Sequence, residues 1–469
     1  MFWTPAFAGV TTKETFYEII KEISVGDERQ KRVDLLLING SLLTLSGTFE
    51  TFSSGAVAIA GGKIAAIGEN NEVKKNFAAE KTIDAGGCLI MPGLVNAHTH
   101  AAMTCYRGMA DDLPLIDWLN CYIFPAESKS DGDQVYWSTL LACAEMIRSG
   151  TTTFDDMYLF EDRVAQAAKE AGMRALVGEV LYDFPSPNYG PWEKGLEYTE
   201  ALIRRWQNDP LISIAVEPHA LYTCSPWLLQ RCRDLADRYG VPLITHLAES
   251  QSELEEVSRK YGRTPVNQME SLGLLSSNLI ACHCVWLKDE EMDLLARRGV
   301  RVAHNPESNM KLASGVAPVP ELLARGVAVG LGTDGCASNN NLDLFQEMDS
   351  AAKLHKVHRL DPTVMPSSVV LKMATLGSAK VLGMEKEIGS LEVGKKADII
   401  ILNLQSPHLQ PVYNIVSQLV YSATGADVRD VIIDGRLVMQ NRKLLTLDEE
   451  TILGKMEEIK ENILQRIPR

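Results

Sequence analysis

The middle of the chain alternates short apolar runs with longer stretches of helical periodicity. Eight of the apolar runs have the length and composition of buried strands. They cover residues 93–98, 151–155, 175–180, 212–219, 242–246, 279–283, 300–304 and 327–334. Strands separated by helical stretches are typical of βα units with parallel strands. Eight such units predict an α/β fold, a (β/α)8 TIM barrel over residues 92–383.

Both ends of the chain have a different pattern, in which short alternating strands follow one another through glycine turns. These strands cover residues 34–40, 56–68, 81–87, 397–403 and 428–438. Because the two groups flank the long middle, the most economical arrangement is one small β-sandwich domain built from both ends of the chain. We predict that this domain comprises residues 33–91 and 384–445, with an N-terminal extension over 1–32 and a C-terminal helix over 446–469.

The composition limits the kinds of molecule that the protein is expected to bind. Of 469 residues, 46% are hydrophobic and 23% are charged, which is ordinary for a soluble globular chain. The formal net charge is -15 at pH 7 and no basic patch occurs, which argues against a nucleic-acid polymer as partner. No run of about 20 apolar residues suggests a membrane span. We therefore expect a small-molecule ligand, no nucleic acid and no membrane.

The cysteines indicate a reducing compartment. The chain has nine, an odd number, scattered through predicted strands and helices, as expected of buried, reduced thiols. The first ten residues lack the basic segment of a signal peptide, so we expect a cytoplasmic protein. Cys282 and Cys284 flank His283, but alternation along a strand turns both thiols away from the histidine's face. Burial is therefore expected for them rather than metal ligation.

Polar residues stand where the predicted strands end. Different strands end in His98, His219, His246, His283, His304 and Asp334. A single histidine at a strand end is most often only hydrogen-bonded, but six of the nine histidines lie at or just beyond these ends. Because the active sites of barrels lie at the C-terminal rim of the strands, this pattern predicts a metal and acid–base site. The remaining His355, His358 and His408 are expected at the surface or in helices.

His98 and His100 form the clearest part of this site. Residues i and i+2 of a strand share a face, so both imidazoles can bind one metal ion. An isolated pair of this kind is often a surface accident, but here it follows a buried apolar run. His246 and Asp334 complete a set of ligands that suits Zn²⁺ and also accepts Fe²⁺ or Mn²⁺. The alternative for Asp334 is a turn residue in a Thr-Asp-Gly segment.

Four further side chains at the rim are candidates for proton transfer and substrate contact. Glu249 stands where it can pass a proton between a metal-bound water and a ring nitrogen; its alternative is an acidic residue at a helix N-terminus. His283 is the natural partner for that proton, and His219 can donate to the substrate. His304 opens a segment that either forms part of the site wall or caps a loop.

An apolar segment with the character of a lid follows the His-Thr-His run. It carries Met103, Trp118, Tyr122 and Phe124 and ends near Glu127. An apolar lid over a polar rim suits a base or a nucleoside, with Trp118 against the ligand and Glu127 accepting hydrogen bonds from ribose hydroxyls. The alternative is a helix whose core face contains Trp118 and Phe124 and whose Glu127 is solvated.

Five motifs occur in order along the chain. They are Pro92-Gly-Leu-Val-Asn-Ala-His-Thr-His, Pro218-His-Ala-Leu-Tyr-Thr-Cys-Ser, Thr245-His-Leu-Ala-Glu-Ser, His304-Asn-Pro-Glu-Ser-Asn and Gly332-Thr-Asp-Gly. Together they resemble the amidohydrolase superfamily, and within it the methylthioadenosine/S-adenosylhomocysteine deaminase group. The resemblance implies metal ligands at His98, His100, His246 and Asp334. It also implies substrate contacts at Glu127, His219 and Glu249, and proton transfer by Glu249, His283 and Asp334.

One position departs from that group. A substrate-binding arginine commonly follows the segment corresponding to Gly172-Met-Arg-Ala, where this chain has Glu179, and a second arginine cannot be placed in residues 182–190. A carboxylate in place of a cation disfavours an anionic substrate tail. We therefore expect Glu179 beside the substrate. A neutral nucleoside should then fit better than the homocysteine carboxylate.

The resemblance implies hydrolytic deamination of an adenine-type nucleoside: methylthioadenosine, S-adenosylhomocysteine, adenosine or 5'-deoxyadenosine. The alternative is a related hydrolase acting on guanine, cytosine, aminodeoxyfutalosine or an s-triazine. A two-metal cyclic amidase needs a lysine after the fourth strand, where this chain has Glu217-Pro-His. A catalytically inactive scaffold should lack a ligand or an acid–base residue, and none is missing. The resemblance also implies a homo-oligomer.

Overall fold

The computed structural model of the protein describes residues 30–47 and 50–466. Its strands are β1 Lys31–Leu43, β2 Thr51–Ala60, β3 Lys63–Glu69, β4 Phe77–Asp84, β5 Cys88–Pro92, β6 Leu94–Thr99, β7 Thr151–Tyr158, β8 Arg174–Leu181, β9 Ile212–Ile214, β10 Glu217–Pro218, β11 Leu243–Leu247, β12 Leu279–His283, β13 Arg301–His304, β14 Val329–Leu331, β15 Ile399–Asn403, β16 Val428–Ile433, β17 Arg436–Gln440 and β18 Lys443–Leu444. Of the predicted N-terminal extension, residues 1–29 lie outside the described residues, and Lys31 and Arg32 already belong to β1.

Helices fill most of the chain between the strands. The α-helices cover Asn70–Asn76, Leu115–Trp118, Phe124–Glu127, Gly132–Arg148, Glu161–Ala171, Glu193–Trp206, Pro226–Tyr239, Gln251–Tyr261, Pro265–Ser271, Asp289–Arg298, Pro306–Lys311, Val319–Ala324, Leu344–Arg359, Ser367–Lys372, Ser378–Leu382, Ile415–Tyr421 and Glu449–Arg466. Short 3-10 helices cover Ala101–Tyr106, Pro407–Leu409 and Gly425–Asp427, and π-helical turns cover Leu119–Ile123 and Met373–Gly377.

The strands of the middle of the chain run parallel and form two hydrogen-bonded groups. One group has the order β10-β8-β7-β6 with β9 paired to β8, and the other has the order β11-β12-β13-β14. The groups meet at both edges, because Val216 forms a parallel bridge with Leu243 and the amide of Asp334 donates to the carbonyl of His98 at 3.0 Å. With helices alternating between them, these strands confirm the predicted α/β class and fit a TIM barrel. The predicted strand 212–219 is divided into β9 and β10.

The two ends of the chain build one sheet of nine strands. Its order is β18-β17-β16-β15-β5-β1-β2-β3, and β4 pairs with β1. Antiparallel β5 and β15 join the N-terminal and C-terminal parts, with Met91 opposite Ile400. Because β1 is 13 residues long, β4 and β5 both pair along one of its edges, at different registers. The hydrogen bonds therefore form one continuous sheet and do not show the two separate layers of the predicted sandwich.

A buried ion pair connects this sheet to the parallel strands. Arg174, the first residue of β8, donates from Nε and Nη2 to the two carboxylate oxygens of Asp398, at 2.9 and 3.1 Å. The two side chains are only 6% and 2% exposed. The amide of Asp434 donates to the same carboxylate at 2.7 Å. Because a buried charge is costly without its partner, this contact holds the sheet against the base of the parallel strands.

Two observations bear on the expected environment of the protein. All nine cysteines lie among the described residues and none is disulfide-bonded; seven are buried, Cys105 is half-buried and Cys121 is exposed. This agrees with the expectation of free thiols. Over residues 30–47 and 50–466, no helix combines the length and the apolar character that crossing a membrane requires.

Candidate active site

Four side chains at the ends of the parallel strands converge on one point. They belong to His98 in β6, His100 just after it, His246 in β11 and Asp334 beyond β14, and their ligand atoms all lie within 4.8 Å of one another. His98 Nε2 lies 3.2 Å from His246 Nε2, and His100 Nε2 lies 3.0 Å from Asp334 Oδ1. Gly332 permits this approach, because a Cβ there would lie 2.8 Å from the main-chain nitrogen of His98. The structure thus brings the four predicted ligands together.

Each of the three histidine rings presents Nε2 to the centre because its Nδ1 faces an oxygen. His246 Nδ1 donates to the carbonyl of His219 at 3.0 Å, and His100 Nδ1 donates to a main-chain carbonyl of β7. His98 Nδ1 lies 3.5 Å from Asp155 Oδ2. An imidazole that carries its proton on Nδ1 has its lone pair on Nε2, which is the form that binds a metal.

The donor set fits a divalent cation. Two Nε2 lone pairs only 3.2 Å apart, at His98 and His246, repel each other unless a positive charge lies between them. Asp334 Oδ2 accepts from the hydroxyls of Ser308 and Ser338 at 2.6 and 3.0 Å. Asp334 Oδ1 is buried and has no hydrogen-bond donor among the described residues. A carboxylate oxygen and three imidazole nitrogens that converge on one point form the ligand set of a catalytic metal site.

His283 lies beside this centre in a fixed orientation. Its ring stacks on that of His246, with centroids 5.3 Å apart, and its Nδ1 donates to Asn309 Oδ1 at 2.9 Å. Asn309 lies in the helix Pro306–Lys311, which follows β13 directly. This hydrogen bond leaves the Nε2 lone pair of His283 directed into the site.

Glu249 faces His283 across the site. Its Oε2 lies 4.0 Å from His283 Nε2, and burial raises the pKa of the Glu249 carboxyl above its ordinary value. The loop that carries it is held by Glu253, whose carboxylate accepts from the amides of Ala248 and Glu249 at 3.1 and 2.8 Å. A carboxyl group of raised pKa beside an imidazole suits proton exchange.

A cavity opens above these groups. It encloses about 590 Å³ of space not filled by protein, part of which is open to solvent. Its walls are mostly apolar and aromatic, with Met103, Leu119, Ile123, Phe124, Tyr158, Tyr182, Tyr222 and Leu312 among the lining residues. Among the residues that the structure describes, those lining this cavity include neither arginine nor lysine. A pocket of this character suits an uncharged planar ligand.

Besides Glu249, three predicted substrate contacts line this cavity: Trp118, Glu127 and His219. Burial raises the pKa of Glu127 to about 7. Trp118 Nε1 is buried and, within the described residues, has no hydrogen-bond acceptor. A bound ligand can therefore accept a hydrogen bond from it. His219 Nδ1 lies 2.8 Å from Thr223 Oγ1, and burial lowers the pKa of the His219 ring to about 3, which keeps the ring neutral.

Glu179 does not reach the cavity. Val180 and Tyr182 line it, so alternation along β8 directs Glu179 to the opposite face. There its carboxylate accepts from the amide of Glu161 and from the side chain of Asn188, both at 2.9 Å. The structure therefore corrects the prediction that Glu179 lies beside the substrate.

His304 also lies outside the cavity lining. It is fully buried, and its Nε2 lies 3.4 Å from Nε2 of His355. His355 belongs to the helix Leu344–Arg359 and is itself buried, whereas the sequence left a surface position open for it. The pair packs behind the site wall, so the structure does not bring His304 to a ligand.

Several site residues were not identified from the sequence. Tyr158, Tyr182 and Tyr222 line the cavity, and Asn309 orients His283. Asn309 and Ser308 lie in the motif that begins at His304. Their membership of this motif was the one feature of the sequence that could have identified them as site residues. Tyr222 likewise stands in the motif that begins at Pro218. Tyr158 and Tyr182 carried no such signal, because an aromatic residue at the end of a strand is equally common in a core.

Comparison with known proteins agrees with this geometry. Residues 89–438 match the amidohydrolase family. The chain is 61% identical over 432 residues to 5-methylthioadenosine/S-adenosylhomocysteine deaminase of Syntrophobacter fumaroxidans, covering 92% of this chain and 99% of that protein. It is 45% identical over 435 residues to 5'-deoxyadenosine deaminase of Methanosarcina acetivorans, covering 92% and 99%.

Among solved structures, an adenosine deaminase from Xanthomonas campestris with bound zinc is similar over 93% of this chain and 100% of its own. The TM-score is 0.91 at 39% sequence identity. The family match extends over more than half of the sequence and includes all four residues of the metal-ligand set. The chain therefore belongs to the amidohydrolase family.

Proposed function

We propose that the protein is a metal-dependent hydrolase that deaminates an adenine-type nucleoside to the inosine-type product and ammonia. The observation that carries the proposal is the position of Glu249 and His283 beside the four-ligand centre, at the bottom of an aromatic cavity. Relatives that cover nearly the whole chain are named as deaminases of methylthioadenosine, S-adenosylhomocysteine and 5'-deoxyadenosine. The substrate class is inferred from both.

The metal would be held by His98, His100, His246 and Asp334. We propose Zn²⁺, because three imidazole nitrogens and one carboxylate suit this ion and a similar adenosine deaminase contains it. When bound, such an ion supplies a water-derived nucleophile at neutral pH. The protein supplies the orientation of the ligands through the acceptors at each Nδ1.

The cavity residues would bind the nucleoside. The aromatic walls can stack against the base, and Glu127, which lines the cavity, would accept hydrogen bonds from ribose hydroxyls. Trp118 Nε1 is a buried donor that needs an acceptor, and His219 is a neutral side chain that can hydrogen-bond the purine.

Proton transfer would be divided among three side chains. Glu249 donates a proton to the purine ring nitrogen next to C6 as that carbon becomes tetrahedral. His283 Nε2 accepts a proton of the attacking water, since its Nδ1 is already committed to Asn309. Asp334 Oδ1 takes part in moving this proton to the leaving amino group, which departs as ammonia. The proton that remains on the C6 hydroxyl returns to Glu249 as the C6 carbonyl forms.

We infer the finer architecture on the same basis. The parallel strands would close as a (β/α)8 barrel over 92–383, and residues 33–91 with 384–445 would form the smaller β-sandwich domain, followed by the C-terminal helix Glu449–Arg466. The hydrogen bonds between the strand groups at both edges support closure. A homo-oligomer and a cytoplasmic location stay predictions from the sequence.

The proposal is tested by Glu249→Gln, which keeps the size of the side chain and removes its transferable proton. We expect methylthioadenosine deamination to fall by roughly 100-fold or more, because general acid catalysis contributes about that much, while the bound metal content stays normal. The exposed Glu255→Gln variant on the following helix is the matched control and should keep full activity. Near-normal ammonia release by Glu249→Gln would contradict the role assigned to this residue.

A further inference from the structure

Strand β7 supports the segment that carries the first two metal ligands. Oδ2 of its Asp155 lies 3.5 Å from Nδ1 of His98, and the carbonyl of its Met157 accepts from Nδ1 of His100. The two imidazole rings are therefore contacted by residues on either side of a third residue of β7. That residue is Asp156, which is fully buried.

Asp156 holds the main chain of the same segment. Its Oδ1 accepts from the hydroxyl of Thr99 at 2.7 Å and from the amide of Ala101. The same hydroxyl lies 2.9 Å from the carbonyl of Asp155. Thr99 comes directly before His100 and Ala101 directly after it. One carboxylate oxygen therefore binds the chain on both sides of a metal ligand.

Hydrogen bonds between main-chain groups do not hold this segment by themselves. The register between β6 and β7 shifts between Asn96 and Thr99, where β6 ends. The 3-10 helix Ala101–Tyr106 follows, and its N-cap His100 makes no side-chain capping hydrogen bond. Because the first N–H groups of a helix have no acceptor within it, the amide of Ala101 needs one from elsewhere. Asp156 supplies it.

A second buried acid lies next to Asp156. Glu161 begins the helix Glu161–Ala171 and is fully buried. Burial, and after it the charge of Asp156, raises the pKa of the Glu161 carboxyl well above its ordinary value. Within the described residues, neither oxygen of Glu161 nor Oδ2 of Asp156 has a hydrogen-bond partner. An amide NH2 in the place of Oδ2 would therefore displace no hydrogen bond.

We propose that Asp156 is a positioning residue for the metal centre: its Oδ1 fixes the segment from Thr99 to Ala101 and thereby the separation of the first two histidine ligands. The inference rests on the metal site of the proposed function. Asp156 acts as a hydrogen-bond acceptor at one place, and its charge is not required. Because Asp156 does not line the cavity, substrate binding should not depend on it.

The test compares two replacements of Asp156. Asp156→Asn keeps the acceptor Oδ1 and removes the charge, whereas Asp156→Ala removes both. We expect Asp156→Ala to weaken Zn²⁺ binding by roughly 10- to 100-fold in competition with a chelator, the usual cost of losing a group that supports metal ligands. Asp156→Asn should bind Zn²⁺ within about threefold of the unmodified protein, because the supporting hydrogen bonds remain.

Two further readouts distinguish positioning from a general loss of stability. The absorption spectrum of the Co²⁺-loaded protein depends on the arrangement of the ligands, so it should change in the Asp156→Ala variant and stay the same in the Asp156→Asn variant. At saturating metal, KM for methylthioadenosine should be unchanged in both variants.

A second pair of variants perturbs the core less. Thr99→Val keeps the shape of the side chain and removes one of the two donors to Asp156, so it should weaken Zn²⁺ binding by about tenfold. Thr152 is also a buried threonine, and its hydroxyl donates to the carbonyl of Leu94 at 3.3 Å. Thr152→Val is the matched control and should bind Zn²⁺ like the unmodified protein. If Asp156→Ala does not fold, this pair decides the inference.

The outcomes separate this inference from the proposed function. Loss of metal affinity in Asp156→Ala, with rescue in Asp156→Asn, supports it. Unchanged affinity in folded Asp156→Ala, equal losses in both Asp156 variants, or equal effects of Thr99→Val and Thr152→Val would each overturn it while the proposed function stands. If the unmodified protein binds neither Zn²⁺ nor Co²⁺, the metal site of the proposed function fails and this inference fails with it.

Discussion

The orientation of His283 depends on one hydrogen bond that mutation can remove. Asn309 Oδ1 lies 2.9 Å from His283 Nδ1, and both side chains are buried, with 1% exposure each. Asn309→Ala deletes the acceptor and leaves the imidazole N–H facing a small void. The ring then loses the contact that directs the lone pair of Nε2 towards Glu249.

The size of the effect follows from the burial of this N–H group. An unpaired buried donor costs about 1–3 kcal/mol. A difference of about 1.4 kcal/mol changes a rate tenfold. Loss of the productive ring orientation should therefore lower kcat by roughly 5- to 150-fold. KM should change much less, because Asn309 does not line the cavity.

Steady-state ammonia release with methylthioadenosine measures both constants, and metal analysis shows whether the ligand set is intact. Met310→Ala, the next residue of the same helix and 49% exposed, is the control for disturbance of the helix and should behave like the unmodified protein. If Asn309→Ala retains kcat within about twofold, at normal metal content, the argument that this residue positions His283 is refuted.

Three further outcomes are expected. Ser338→Ala removes a hydroxyl that donates to Asp334 Oδ2 at 3.0 Å. It should weaken metal binding by about tenfold or more, measured by competition with a chelator; unchanged metal affinity would contradict the supporting role of this hydroxyl. Arg174→Met leaves Asp398 as an unpaired buried charge and should lower the free energy of unfolding in urea by about 3–5 kcal/mol; a change below about 1 kcal/mol would show that the pair is not needed. Removal of the metal by chelation should abolish ammonia release and Zn²⁺ should restore it, whereas activity in the metal-free protein would contradict the proposed chemistry.

The metal-ligand set could be predicted from the sequence because of one property of parallel strands. Their C-terminal ends meet at one rim, so His98, His246 and Asp334 are neighbours in space although they are far apart along the chain. Alternation then placed His100 on the same face as His98. The structure brings these side chains together as that reasoning requires.

Glu179 shows where the same reasoning stops. Strands of a parallel sheet are buried on both faces, so β8 has no polar alternation to indicate which residues face inwards. The strand was located correctly, but Glu179 was expected beside the substrate only because the related group has an arginine at that position. The result is that Val180 lines the cavity and Glu179 does not.

The single nine-stranded sheet depends on contacts that no local pattern reports. The sheet follows from the length of β1, which accommodates β4 and β5 along the same edge. This arrangement is set by packing between distant segments, and packing overrides local propensity.

The most direct test of the account is an ammonia-release screen of the zinc-reconstituted protein. The substrates are methylthioadenosine, S-adenosylhomocysteine, adenosine and 5'-deoxyadenosine, with guanine, cytosine and an s-triazine for comparison. We predict release of ammonia from at least one adenine nucleoside with formation of its inosine-type product, at a rate well above that from the other compounds. No release from any adenine nucleoside by folded, metal-loaded protein would contradict the central claim.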